Sequence, residues 1–171
     1  VTDCNFENGA PSNVALAPCA VQVNTAALKT ADVIITGNTA NGFGTNYVNN
    51  LVAAFEIYGG ADKTIITGNN LYNCYSYGIR VNDADAVNIS DNNVYVKEDV
   101  NTGLSGISVL AYNHGTTLKS NVIVSGNQVS NPLNVGMYIA GTTAQLLKRA
   151  NISDNIIIDS TDAGIFFAYC G

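Results

Sequence analysis

Six short segments of the sequence share one pattern, in which a variable residue stands between two apolar ones. The segments read AVQV, AFEI, GIRV, GISV, GMYI and GIFF. Their variable residues are Gln22, Glu56, Arg80, Ser108, Tyr138 and Phe166. If the segments stack on one another, these side chains form one column that holds a carboxylate, a guanidinium group and two aromatic rings. Such groups suit the hydroxyl groups and the apolar faces of sugars.

Two interpretations of this column are open. In the first, Glu56 and Arg80 form an exposed ion pair worth about 0 to 1 kcal/mol, and the two aromatic rings rest on neighbouring loops. In the second, Tyr138 and Phe166 stack on sugar rings, while Glu56 and Arg80 handle the carboxylate or hydroxyl groups of an acidic glycan. The second interpretation predicts Arg80, Tyr138 and Phe166 as substrate-binding residues and Glu56 as a catalytic residue.

A group of acidic residues follows the same segments. Asp83 and Asp85 lie in NDADA, Asp62 lies in GGADK, and the only histidine, His114, lies in YNHG. Paired carboxylates can act as the acid and base of a glycosidase, at separations of about 5 to 5.5 Å or about 6.5 to 9.5 Å. The same oxygens are ligands that Ca²⁺ prefers, and the same residue types also simply make turns. We name Asp83 and Asp85 as catalytic candidates and expect no resident cofactor or metal, with Ca²⁺ as the one ion that these connections could bind.

A second repeated segment shows how these residues come together. It reads VIITGN, TIITGN, VNISDN, VIVSGN and ANISDN, and its last residues are Asn38, Asn69, Asn92, Asn127 and Asn155. These asparagines are 31, 23, 35 and 28 residues apart, and the segments of the first pattern are 34, 24, 28, 30 and 28 apart. Two alternating strands with one common period, and insertions only in the connections, are typical of a parallel β-solenoid. The sequence predicts an all-β fold of about six coils, forming a single domain over residues 1–171.

Apolar and other residues alternate in both segments, so every second side chain points into the solenoid. The first pattern predicts two buried columns, which are Val21, Phe55, Ile79, Ile107, Met137, Ile165 and Val23, Ile57, Val81, Val109, Ile139, Phe167. The Gly or Asp before each repeated asparagine tolerates a positive φ. Asparagines stacked about 4.8 Å apart can hydrogen-bond from coil to coil. Cys4, in VTDCNF, occupies the same position one coil earlier.

These segments, their period and the asparagine column resemble the right-handed parallel β-helix of the pectate-lyase superfamily over nearly the whole chain. That superfamily includes pectinases, other polysaccharide lyases and hydrolases, alginate epimerases and bacteriophage tailspike depolymerases. The resemblance implies an extracellular or virion-borne protein that acts on a polysaccharide. Members that cleave by elimination use a basic residue to take the proton beside a uronate carboxyl. The resemblance implies this role for Arg80. The polygalacturonase sequence motifs NTD, DD, GHG and RIK are not intact in this chain. No catalytic residue can therefore be assigned by matching a motif.

Composition and charge exclude other classes of partner. The formal net charge is -6 and the seven Lys and Arg residues are scattered singly, which argues against nucleic acid and anionic membranes. No apolar run approaches the roughly 20 residues of a membrane helix, so membrane insertion is not expected. Because the chain begins and ends within strand-like segments, we expect a piece of a longer solenoid. The cysteines lack metal-ligand spacing and are expected to be buried thiols, namely Cys4, Cys19, Cys74 and Cys170.

The second repeat carries an apolar column on its outer side. Ile34, Ile65 and Ile123 are expected to point outward. Exposed aliphatic columns are usually covered, either by a loop or terminal segment of the same chain or by other copies in a homotrimer. Two functional hypotheses follow from the sequence. The first is a tailspike-like β-helix that binds and degrades a polysaccharide, and the second is a non-catalytic structural segment of a virion fibre or surface adhesin.

Overall fold

The computed structural model describes residues 1–7, 19–24, 32–43, 45–47, 50–97, 105–110, 121–132, 134–141, 147 and 149–169. Regular structure in these ranges is entirely β-strand. The strands are β1 (Asn5–Glu7), β2 (Val21–Asn24), β3 (Val33–Thr36), β4 (Thr39–Asn41), β5 (Thr45–Tyr47), β6 (Asn50–Val52), β7 (Phe55–Thr67), β8 (Asn70–Cys74), β9 (Ile79–Ser90), β10 (Asn93–Val96), β11 (Ile107–Leu110), β12 (Asn121–Ser125), β13 (Gln128–Ser130), β14 (Val135–Ala140), β15 (Arg149–Ser153), β16 (Ile156–Ile158) and β17 (Ala163–Ala168). Within the described ranges there is no helix with the length and apolar character needed to cross a membrane.

The strands stack in parallel as the coils of a solenoid. Among the described residues, one sheet has six strands, in the order β1, β4, β8, β10, β13, β16, and a second sheet has nine. In the second sheet, β7 and β9 each contain both repeated segments of their coil. The antiparallel pair of β5 and β6 stands apart from these two sheets. The predicted all-β parallel solenoid of about six coils is confirmed.

Each coil has three strand segments where the sequence analysis predicted two. The third follows the asparagine turn at once and forms the six-stranded sheet. The sequence analysis treated these residues as part of the connections, because it took strands only from the two repeated segments. The third segments are three to five residues long, as β13 and β8 show. Val94 on β10 and Val129 on β13 are buried, so the third segment closes the core from its own side.

The two predicted apolar columns lie inside the solenoid, except for residues in its first and last coils. Residues of the first column pair in register from Val21 to Ile165, and its members up to Met137 are buried. Val23 is half-buried at the start of the second column, whose next four residues are buried. Ile165 and Phe167 are exposed because β17 is the end strand of its sheet, with a partner strand on one side.

The repeated asparagines form a hydrogen-bonded ladder through the core. Nδ2 of each asparagine donates to Oδ1 of the next, at 3.0, 2.8, 2.9 and 2.9 Å along the series from Asn38 to Asn155. The main-chain N of Cys4 donates to Oδ1 of Asn38, so Cys4 occupies the predicted position. The residues before the asparagines have φ between 56° and 68°, and they are Gly37, Gly68, Asp91, Gly126 and Asp154. The predicted ladder and its turns are confirmed.

Packing requires the glycine that opens several segments of the first pattern. A Cβ atom on Gly106 would lie 2.2 Å from Cγ1 of Val129. A Cβ atom on Gly136 would lie 2.5 Å from Cγ2 of Ile157 on β16. The third strand segment therefore approaches the start of the first so closely that glycine is the residue that fits.

The described cysteines are free thiols in different environments. Cys74 is fully buried, and its removal from water raises the pKa of its thiol to about 12. Cys19 is half-buried. Cys4 is exposed, so the expectation of a buried thiol is wrong there, and Cys170 lies outside the described residues.

The outer aliphatic column is present in register. Ile34 pairs with Ile65, and both Ile65 and Ile123 pair with Asn88. The side chain of Ile34 is 47% exposed, whereas Ile65 and Ile123 are half-buried. A homotrimer through this column stays a prediction.

Candidate functional site

The variable residues of the first pattern stack in one column, as predicted. The paired neighbours are Gln22 with Glu56, Glu56 with Arg80, Arg80 with Ser108, Ser108 with Tyr138, and Tyr138 with Phe166. Neighbouring strands of a sheet lie about 4.8 Å apart. The solenoid therefore makes direct neighbours of residues that are 24 to 34 positions apart in the sequence.

Glu56 and Arg80 form a buried ion pair in this column. Nε and Nη2 of Arg80 both donate to Oε1 of Glu56, and the distance from Nε to Oε1 is 2.9 Å. Oε2 of Glu56 accepts a hydrogen bond from the main-chain N of Ala53 at 3.4 Å and lies 3.9 Å from Sγ of Cys19. The side chain of Glu56 is 3% exposed and that of Arg80 is 16% exposed. The expectation of an exposed ion pair is therefore wrong, because residues that precede the strands contact the pair from outside.

The ion pair and its burial set the electrostatics of two neighbours. Burial, followed by the negative charge of Glu56, raises the pKa of the Cys19 thiol to about 12, so this thiol keeps its proton. Burial also raises the pKa of the Tyr77 hydroxyl, although the positive charge of Arg80 acts against the shift. The guanidinium carbon of Arg80 lies 5.1 Å from the centroid of the Tyr77 ring, a cation–π contact. Arg80 is thus held by Glu56 and Tyr77 together.

Tyr138 and Phe166 stack on each other in the later coils of the column. Their ring centroids are 5.3 Å apart and their planes differ by 8°. The prediction placed sugar rings on both residues, but the faces that the two rings turn to each other leave no room for one. Since β14 lies between β11 and β17, the other face of Tyr138 is on the side of Ser108. That face and the ring edges are the surfaces left for a ligand.

A groove of about 260 Å³ opens over Ser108 and along the aromatic stack. Ser108, whose small side chain is buried, lines the groove together with Leu110. Tyr138 and Phe166 also line it. The column predicted from sequence therefore contributes three of its members, Ser108, Tyr138 and Phe166, to one concave site.

The rest of the lining includes residues that the sequence analysis missed. They are Tyr77, Ser105, Asn134, Val135 and Asp162. Each stands one or two positions before the glycine of its segment, and all but Val135 lie on the turn that enters the strand. The sequence analysis took site residues only from the strands and from the connections after them. Their place within two residues before the repeated glycine is the signal that would have found these lining residues.

The predicted acidic group lies on strands rather than in loops. Asp83 and Asp85 belong to β9 and Asp62 belongs to β7, and the register of the two strands places Asp62 beside position 85. The side chains of Asp83 and Asp85, and all of His114, lie outside the described residues. Their role in catalysis stays a prediction. In the described part of the chain, no group of three or more His, Cys, Asp and Glu residues could hold a metal ion.

Comparison with known proteins identifies the family without an activity. A family model described as "Right handed beta helix region" matches residues 1–171. No curated protein and no solved structure gives a significant match to the chain. The family match covers the whole sequence and agrees with the two parallel sheets and the coil-to-coil register. The fold is a right-handed parallel β-helix, as predicted, and the chain belongs to the right-handed β-helix family.

Proposed function

We propose that this β-helix binds a polysaccharide in the groove over Ser108, along the stack of Tyr138 and Phe166. The observation that carries the proposal is the combination of a stacked aromatic pair with polar side chains in the lining of one groove. Sugar rings present apolar C–H faces and polar hydroxyl edges, so they need both kinds of surface at once. A volume of about 260 Å³ lies below the roughly 300 to 1,000 Å³ of pockets for drug-sized ligands, which suits one sugar unit of a longer chain.

The strand spacing supports a gap for a flat ring over Ser108. Arg80 and Tyr138 lie on strands two spacings apart, or about 9 to 10 Å. A ring between them requires about 7 to 8 Å, since contacting carbon atoms are roughly 3.5 to 4.0 Å apart. The guanidinium group of Arg80 bonds to Glu56, on the strand away from Ser108, and so does not extend toward this gap. Further sugar units of the same polymer would follow the column along the solenoid.

Tyr138→Ala is expected to weaken polysaccharide binding at least tenfold, or about 1.4 kcal/mol, because it removes the ring that faces the gap. The measurement is calorimetric titration with a panel of bacterial capsular, O-antigen and plant pectic polysaccharides. Tyr72→Ala is the matched control, since Tyr72 is an exposed aromatic residue on β8 in the other sheet. This control variant should bind like the parent protein. Failure of every member of the panel to bind the parent protein would refute the proposed function.

The proposal extends to cleavage of the bound polysaccharide, as in the depolymerases of the pectate-lyase superfamily and of phage tailspikes, at an extracellular or virion location. Asp83 and Asp85 are the proposed catalytic acid and base. Glu56 was also predicted to be catalytic, but its side chain is 3% exposed and bonded to Arg80, so that role stays a prediction and the test uses Asp83 and Asp85. Release of reducing ends by the parent protein, lost in Asp83→Asn or Asp85→Asn with binding retained, would support this step. Unchanged release in both variants would contradict these roles.

The second candidate is a structural segment of a virion fibre or surface adhesin without catalysis. The buried asparagine ladder favours it, because the ladder reinforces the long axis of the solenoid and contributes no chemistry to the groove. A homotrimer packed through Ile34, Ile65 and Ile123 suits either candidate, and the exposure of Ile34 supports it. A sedimentation experiment that finds only monomers would contradict the trimer.

A further inference from the structure

We infer that the groove selects an uncharged sugar unit and rejects a uronate. The inference rests on the proposed function and names the substrate class of the same groove. Among the lining residues that the structure describes there is no cation, and Asp162 is an exposed anion. The other polar lining residues are Tyr77, Ser105, Ser108, Asn134 and Tyr138, all of which are neutral. A bound carboxylate would therefore meet repulsion from Asp162 without a compensating positive charge.

Among the described residues of the column, Arg80 is the cation next to the groove residue Ser108. The carboxylate of Glu56 already neutralises its charge. Two of its nitrogen atoms bond to Oε1 of Glu56, and Tyr77 packs against its guanidinium group. To reach a uronate over Ser108, Arg80 would have to leave Glu56 as an unpaired carboxylate that is 3% exposed. Removing the partner of a buried charge is strongly unfavourable. Among the residues that the structure describes, the acidic-glycan interpretation of the sequence therefore lacks a free cation in this groove.

The lining groups that remain match the hydroxyl groups of a neutral sugar. The carboxylate of Asp162 accepts hydrogen bonds from hydroxyl groups, and charge-assisted bonds of this kind are roughly twice as strong as neutral ones. Serine and tyrosine hydroxyls can donate and accept, as sugar hydroxyls also do. Long-range electrostatics act in the same direction, because the formal net charge of the chain is -6.

The experiment compares the affinities of the neutral and the uronate-containing polysaccharides of the panel at low salt. Polygalacturonate and alginate are each tested beside a form whose carboxyl groups have been reduced to hydroxymethyl groups. We expect binding to be confined to neutral glycans, and any reduced polymer that binds should bind at least tenfold tighter than its acidic parent. Equal or tighter binding of an acidic parent overturns the inference and leaves the proposed function standing. Absence of binding to the whole panel overturns both.

A pair of charge variants assigns the preference to the groove. The affinity for a reduced polymer divided by the affinity for its acidic parent measures the preference. Asp162→Asn should lower this ratio at least threefold, because it removes the negative charge that repels a carboxylate at the site. Asp159→Asn removes one negative charge from an exposed position outside the groove lining, and it should leave the preference unchanged. An equal response of the two variants, or no response of Asp162→Asn, would overturn the assignment of the preference to the groove.

Discussion

Asn69→Ala is expected to lower the free energy of unfolding by about 3 to 5 kcal/mol. Oδ1 of Asn69 accepts from the main-chain N and from Nδ2 of Asn38, at 2.9 and 3.0 Å. Its Nδ2 donates to Oδ1 of Asn92 at 2.8 Å and to the carbonyl oxygens of Ile35 and Thr67 at 3.1 Å. Alanine removes these bonds and takes the acceptor from the buried main-chain N–H of Asn38. Leaving a buried polar group without a partner costs about 1 to 3 kcal/mol, and the remaining lost bonds add to that cost.

Asn70→Ala is the matched control, because Asn70 is the next residue in the chain, has the same side chain and is exposed. We expect this variant to stay within about 0.5 kcal/mol of the parent protein. Urea unfolding followed by circular dichroism measures both variants, and a lower midpoint with an unchanged slope reports lost stability. If Asn69→Ala and Asn70→Ala unfold at the same urea concentration, the ladder does not stabilise the coils.

The coil-to-coil neighbours could be predicted from the sequence because two repeated segments fix the register independently of the loops between them. Glu56 and Arg80 are 24 residues apart and Gln22 and Glu56 are 34 apart, yet both pairs are direct neighbours in the sheet. Period-two alternation then decides which side chains face inward. The asparagine ladder follows from the same logic, since one residue type at one position of each coil must stack on itself.

The surroundings of the outward residues could not be predicted in the same way. Burial of Glu56 and Arg80 depends on residues outside the repeated segments, such as Tyr77, whose ring packs against the guanidinium group. The register predicts that Tyr138 and Phe166 are neighbours, but a choice of rotamers decides that they stack on each other. The groove was missed for a related reason, because four of its nine described lining residues lie on turns that enter the strands.

Arg80→Met is expected to lower the free energy of unfolding by about 3 to 5 kcal/mol. Methionine retains most of the apolar stem of the side chain but removes the guanidinium group. Glu56, which is 3% exposed, then loses both hydrogen bonds to its Oε1 atom and the only opposite charge that contacts it in the described structure. Arg149→Met is the control, because Arg149 is exposed at the start of β15, and we expect a change within about 0.5 kcal/mol.

The double variant Glu56→Leu with Arg80→Met separates the ion pair from simple loss of packing. Replacing both partners of a buried pair by apolar residues of similar size is often neutral or stabilising, because neither charge then has to leave water. We therefore expect the double variant to recover most of the stability that Arg80→Met loses, and urea midpoints for the four proteins of the cycle give the coupling energy. Because buried charges are weakly screened, this energy should change little between low and high salt. Additive losses in the double variant would show that Arg80 stabilises the fold through its contact with Tyr77 instead of through Glu56.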